Sequence, residues 1–143
     1  MVDEGLTRAL EHVVYGGVAI TNLALADAAL EITLPQWRVL VVVGESADGA
    51  AVSEIATRIG AAVSPASKLV TRLERRGLVT TAKDTTDRRV TRVRLTDAGT
   101  ALRTHVLDCR REYIGRIVAG AGHAPAGTEA FLAKLGEAFA AFG

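Results

Sequence analysis

Apolar residues recur at the three-and-four spacing of a helix in the first part of the chain, where Leu6, Ala9, Leu10, Val13, Val14, Gly17, Ile20, Leu23 and Ala24 form one stripe. The stripe predicts a long amphipathic helix over residues 6–24. Its weak point is Gly16-Gly17: each glycine inside a helix costs about 1 kcal/mol relative to alanine, so a kink or a close helix contact is expected there. Thr33 and Gln36 have the spacing of a capping box ahead of Trp37, Leu40, Val41 and Val43, which predicts a second helix from about Pro35 to Glu45. Asp48-Gly49 then supplies a turn.

From Val52 to Gly77 the pattern is two short helices about a tight turn. Ile55, Ala56 and Ile59 point inward from the first, which Gly60 ends. The second has Ser64 placed as N-cap and Pro65 at the first helical position, where the missing amide hydrogen would have no partner anyway. With Ala66, Leu69, Val70 and Leu73 turned inward, Ser67, Lys68, Thr71, Arg72 and Arg75 fall on the outer face. After Gly77 the period switches to two, and residues 78–81 and 90–95, rich in valine and threonine, flank Asp84-Thr85-Thr86-Asp87 as a β-hairpin with a charged tip. Thr96 caps a further helix that carries Ala101, Leu102, Val106, Leu107 and Ile114 toward about Ala119. Residues 120–127 break it, and a last helix aligns Phe131, Leu132, Leu135, Ala138, Phe139 and Phe142. With no repeat and no linker, residues 1–143 read as a single, mainly α domain with a two-stranded β-hairpin.

Composition limits the class. At 49% hydrophobic and 23% charged, the chain is too apolar for disorder, and no uninterrupted apolar run approaches the roughly 20 residues of a membrane span. Met1-Val2-Asp3-Glu4 is acidic where a secretory signal is basic, and the single cysteine, Cys109, has no intrachain partner. A reducing cytoplasm, with no membrane partner, is therefore expected.

Net charge is only +1, but it is unevenly spread. Between Lys68 and Arg94 stand nine basic and three acidic residues, leaving eight basic and thirteen acidic for the remainder. The excess positive charge coincides with the second short helix and the hairpin, the footprint of a polyanion-binding face. Short polar residues at a helix N-terminus followed by Lys68, Arg72 and Arg75 suit a major groove, and Arg88 and Arg89 at the hairpin tip suit the adjacent minor groove.

Enzyme chemistry finds no support. No nucleophile with a base, phosphate-binding glycine loop or carboxylate pair is readable, and Asp84 and Asp87 lie among arginines that favour ionised carboxylates over proton donors. His12, His105 and His123 lack a short-spaced second histidine, so neither a metal site nor a cofactor is expected. Cys109, midway along a helix, reads as a structural thiol rather than a redox switch.

The run Ser64-Pro65-Ala66-Ser67-Lys68-Leu69-Val70-Thr71-Arg72-Leu73-Glu74-Arg75-Arg76-Gly77-Leu78-Val79 resembles the recognition helix and wing entry of the multiple-antibiotic-resistance regulator (MarR) family. Asp84-Thr85-Thr86-Asp87-Arg88-Arg89 followed by Arg94-Leu95-Thr96-Asp97-Ala98-Gly99 is similar to its wing signature. The specific match runs over residues 33–99. The resemblance implies a winged helix-turn-helix lobe at 33–99, with residues 1–30 and 100–143 as dimerisation helices contributing Leu6, Leu10, Val13, Phe131, Leu135 and Phe139. It further implies a cytoplasmic homodimeric repressor on a pseudo-palindromic double-stranded DNA operator. Ser64, Pro65, Ser67, Lys68, Thr71, Arg72 and Arg75 would form the reading helix and Asp87, Arg88, Arg89 and Arg92 the wing, with Asp87 bracing Arg89 and Arg88 entering the minor groove. A small-molecule effector would lie near Ala24, Asp27 and Trp37, although Trp37 reads first as an anchor of the core between the first two helices. The rival reading is a winged-helix protein-interaction module, against which the cationic outer face argues.

Overall fold

The computed structural model describes residues 1–142. Among them are six helices, α1 (Glu4–Ala26), α2 (Leu34–Val43), α3 (Val52–Ile59), α4 (Val63–Arg75), α5 (Asp97–Ala121) and α6 (Thr128–Phe142), and three strands, β1 (Ala50–Ala51), β2 (Val79–Lys83) and β3 (Thr91–Leu95). The sheet is antiparallel in the order β1-β3-β2. The fold is thus the expected winged helix, with one strand more than the hairpin. Two residues carry no readable periodicity, and β1 exists only because Ala50 and Ala51 pair with Val93 and Arg92 across the domain.

Local signals act where a side chain completes a backbone hydrogen bond. Thr33 and Gln36 make both halves of the capping box at the start of α2. The Thr96 hydroxyl accepts from the Gly99 amide at the start of α5, and Asp3 accepts from Leu6 at the start of α1. The start of α4 differs from expectation: its N-cap is Ala62, with no side-chain cap, and Ser64 and Pro65 lie inside the first turn. Amides there have no helical partner, so proline is accommodated at the third position as readily as the first. α1 runs unbroken through Gly16-Gly17, and a Cβ at either would meet nothing within 4 Å, so the expected contact is absent within the chain. Gly49 is required by geometry. Its φ is +73°, and a Cβ there would stand 1.8 Å from the Val93 carbonyl oxygen.

The core joins α2, α3, α4, the sheet and the first part of α5. Val39, Leu40, Val43, Ile55, Leu73, Leu78, Val79, Val93 and Val106 are its largest fully buried side chains. α1 contributes only Thr21, Ala24 and Leu25, and α6 contributes no buried residue. The outer parts of α1, α5 and α6 therefore leave apolar side chains in water: Val13 is 66%, Ile117 57% and Phe139 53% exposed. Leu6 and Phe131 are likewise exposed, while Leu10 and Leu135 are half-buried. One expectation is corrected: α1 is, by length and composition, long and apolar enough to cross a membrane. No uninterrupted apolar run of that length exists in it, because Glu11-His12 and Thr21-Asn22 divide the helix. Its C-terminal part is nevertheless buried against the core, mainly along α5.

Candidate nucleic-acid interface

α4 crosses the front of the domain with Ala66, Val70 and Leu73 buried. The opposite face exposes Ser64, Pro65, Ser67, Lys68, Thr71, Arg72 and Arg75. The helix is tied to the sheet by Glu74, whose carboxylate accepts from the Thr81 amide at 3.1 Å and its hydroxyl at 2.7 Å. In the sequence Glu74 stands out only as an acidic residue within a basic segment, and its contacts with Thr81 tie α4 to β2. Between the two runs a groove of about 350 Å³ lined by Ser67, Thr71, Glu74, Thr81, Arg89 and Thr91, among others.

The wing tip is built on two carboxylates. Asp84 accepts from the Thr86 amide at 2.8 Å, the Thr86 hydroxyl at 2.7 Å and the Asp87 amide at 3.4 Å, forming an Asx-type turn. Its other oxygen accepts from Arg92 Nε at 3.0 Å. Asp87 accepts from Arg89 Nε at 3.1 Å, Arg89 Nη2 at 3.2 Å and the Arg89 amide at 3.0 Å. Arg89 is thus held by both oxygens of Asp87, although its side chain is 91% exposed. Arg88 is exposed, with no ion-pair partner among the described residues. Arg92 departs from the sequence reading: expected at the DNA-facing wing, its side chain is half-buried and engaged with Asp84 across the hairpin. The sequence pattern marks Asp84 as charge at the tip, and its spacing to Thr86 is a turn signal that the structure realises.

These contacts hold both carboxyls below the usual carboxylate range. For Asp84 the Thr86 hydroxyl is the largest cause, followed by the Thr86 amide and Arg92; for Asp87 it is the Arg89 side chain. A carboxyl depressed on folding contributes stability that is intact above its unfolded value, about 3.9, and lost as pH falls through the folded one. The amide resonances of Thr86 and Asp87 should therefore stay in place from pH 7 down to about pH 4 and move only below it. In Asp84→Ala they should collapse toward random-coil positions at pH 7. Wild-type resonances that already titrate between pH 6 and 5 would contradict this account of the tip.

The three residues expected at an effector pocket do not share one. Trp37 lines a cleft of about 290 Å³ with Thr21, Leu34, Arg38, Val41 and Arg110, among others. Ala24 is fully buried in the core. Asp27 lies outside the cleft and meets α5, with His105 Nε2 at 3.3 Å and Cys109 Sγ at 3.4 Å. Arg110 Nε is buried without a hydrogen-bond partner. Burial, and then Asp27, push the Cys109 thiol up, which favours the thiol over the reactive thiolate. Spacing along the chain predicts no metal site, since such a site needs convergence of distant residues; yet the ligand atoms of Asp27, His105 and Cys109 lie within 4.8 Å of one another.

Comparison with known proteins brings in relatives. A family model described as MarR family matches residues 30–90. The HTH-type transcriptional repressor IacR of Pseudomonas putida is 35% identical over 91 residues, which is 64% of this chain and 54% of that protein, so the match spans about half the length of the relative. The crystal structure of RV1404 from Mycobacterium tuberculosis superposes with a TM-score of 0.81 at 29% identity, covering 96% of this chain and 95% of that one. A MarR-family transcriptional regulator from Rhodococcus sp. RHA1 superposes with a TM-score of 0.75 at 25% identity over 98% and 95% of the two chains.

Proposed function

This chain belongs to the MarR family of winged-helix transcriptional regulators, and we propose that it is a cytoplasmic homodimeric repressor that binds a pseudo-palindromic double-stranded DNA operator. The observation that carries the proposal is the coincidence of an exposed cationic helix face, Lys68, Arg72 and Arg75, with a wing whose Arg89 is braced and whose Arg88 is not. In this reading residues 33–99 are the DNA-binding lobe. Ser64, Pro65, Ser67 and Thr71 let α4 approach the major groove while Lys68 and Arg72 reach base edges or phosphates. Asp87 keeps Arg89 in place, and Arg88 reaches into the minor groove. Arg92 serves the wing's shape through Asp84 rather than the DNA. Residues 1–30 and 100–143 form the dimer, covering the exposed apolar flanks of α1, α5 and α6.

Release from DNA falls to a small-molecule effector in the Trp37 cleft. The cleft's lining of Trp37, Leu34, Val41 and the cationic Arg38, Arg58 and Arg110 suits an apolar anion. The competing protein-interaction reading makes no use of a cationic reading surface.

Genome-wide capture of bound DNA supplies the operator, and fluorescence anisotropy on that duplex at several salt concentrations tests the proposal. Affinity should fall linearly on a log–log plot. Arg88→Ala should make that slope shallower by about one per wing, doubled in the dimer, and weaken operator and scrambled duplex alike. An unchanged slope and affinity in Arg88→Ala would remove the wing from the interface.

A further inference from the structure

Three side chains from two elements converge where α1 ends. Asp27 caps the C-terminus of α1, and its Oδ2 lies 3.3 Å from His105 Nε2 and 3.4 Å from Cys109 Sγ. The latter two atoms are 3.7 Å apart. His105 and Cys109 are four residues apart on α5, hence on the same face one turn from each other. We propose that Asp27, His105 and Cys109 bind a single tetrahedral divalent cation of the Zn(II) class, which clamps the end of α1 to α5.

The geometry is compatible with a shared cation as well as with direct hydrogen bonds. Tetrahedral zinc with Zn–N and Zn–O near 2.0–2.2 Å and Zn–S near 2.3 Å sets its ligand atoms about 3.3–3.6 Å apart. Two edges of the observed triangle, 3.3 and 3.4 Å, fall in that range and the third, at 3.7 Å, is slightly longer. Nitrogen and sulfur both face the same oxygen, Oδ2, so one ligand atom of each side chain stands at a corner of the triangle.

Charge and softness agree with the geometry. One carboxylate and one thiolate offset the two positive charges, with neutral imidazole as third ligand. Thiolate and imidazole together select against magnesium and calcium. The last turn of α1 carries no basic residue, so the negative end of its dipole meets the cation uncompensated. On binding, the Cys109 S–H bond breaks, its proton passes to solvent and a Zn–S bond forms, with no change of oxidation state. Asp27 and His105 are exposed and Cys109 half-buried, so the cation enters from solvent and the fourth position is left to water. Such a three-ligand site exchanges with chelators, unlike a closed four-ligand structural site.

The full-length metal-free protein, titrated with Co(II), should bind one ion per chain and develop a thiolate-to-cobalt charge-transfer band that Zn(II) abolishes by displacement. Cys109→Ser should remove the band. His105→Ala and Asp27→Ala should each weaken Zn(II) binding by more than about 100-fold, since even the loss of an outer-sphere partner costs roughly 10–100-fold. His123→Ala should leave it unchanged, and circular dichroism checks that every variant is folded. Absence of the band at saturating Co(II), or Zn(II) affinity that survives Cys109→Ser, overturns the site. Binding that needs Cys109 but neither His105 nor Asp27 overturns the three-ligand assignment. The DNA-binding reading stands or falls separately, because none of these readings involves DNA.

Discussion

Arg72→Ala should weaken binding to the operator by about 1–3 kcal/mol for each recognition helix, while binding to a scrambled duplex falls by less. Arg72 is exposed one turn beyond Lys68 and has no ion-pair partner among the described residues. The buried face of α4, through Ala66, Val70 and Leu73, does not depend on it. The truncation therefore removes an outward guanidinium and leaves the scaffold intact. A guanidinium that only neutralises phosphate acts on all sequences equally, whereas one that forms a fork on a base edge acts on the specific site. The ratio of the two losses tells which role Arg72 has. Anisotropy on both duplexes at one salt concentration measures it, and equal, small losses would remove Arg72 from the reading surface.

Gly99→Ala should lower stability by about 3 kcal/mol, although alanine is the better helix former by about 1 kcal/mol. The sign is decided by one contact. A Cβ at Gly99, in the first turn of α5, would stand 2.0 Å from the Leu78 carbonyl oxygen. That carbonyl cannot move aside cheaply: it accepts from the Thr96 amide at 3.1 Å, and the Thr96 hydroxyl donates to the neighbouring Gly77 carbonyl at 2.6 Å. The junction also sets where β2 leaves the core, so the loss should extend to the wing. Urea unfolding should show a lower midpoint at unchanged m. Gly16→Ala and Gly17→Ala, where a Cβ meets nothing within 4 Å, should be neutral or stabilising. A Gly99→Ala variant at least as stable as wild type would mean that α5 and the wing do not meet this closely.

The sequence by itself determined the features whose cause is local. The Thr33–Gln36 capping box, the inward stripe of Ala66, Val70 and Leu73, the left-handed stop at Gly60 and the change of period after Gly77 each depend on residues within a turn or two. They suffice to mark a winged helix and to put the cationic face of α4 on its outside. The pairing of Asp87 with Arg89 is local as well, two residues apart at one tip.

Only the tertiary structure decided what joins distant parts of the chain. β1 needs Val93 as partner, and Arg92 turns from the expected DNA face to Asp84 because the hairpin register brings them together. Ala24 and Trp37 are both buried in the core, yet only Trp37 also borders a cleft, and no stripe along α1 or α2 distinguishes the two. Asp27 stands 78 residues before His105 and 82 before Cys109, and the three meet because α1 lies along α5. Spacing along a chain records which residues share a face of one element. Which faces then meet is settled by packing the whole core, and for that the side chains of every element count at once.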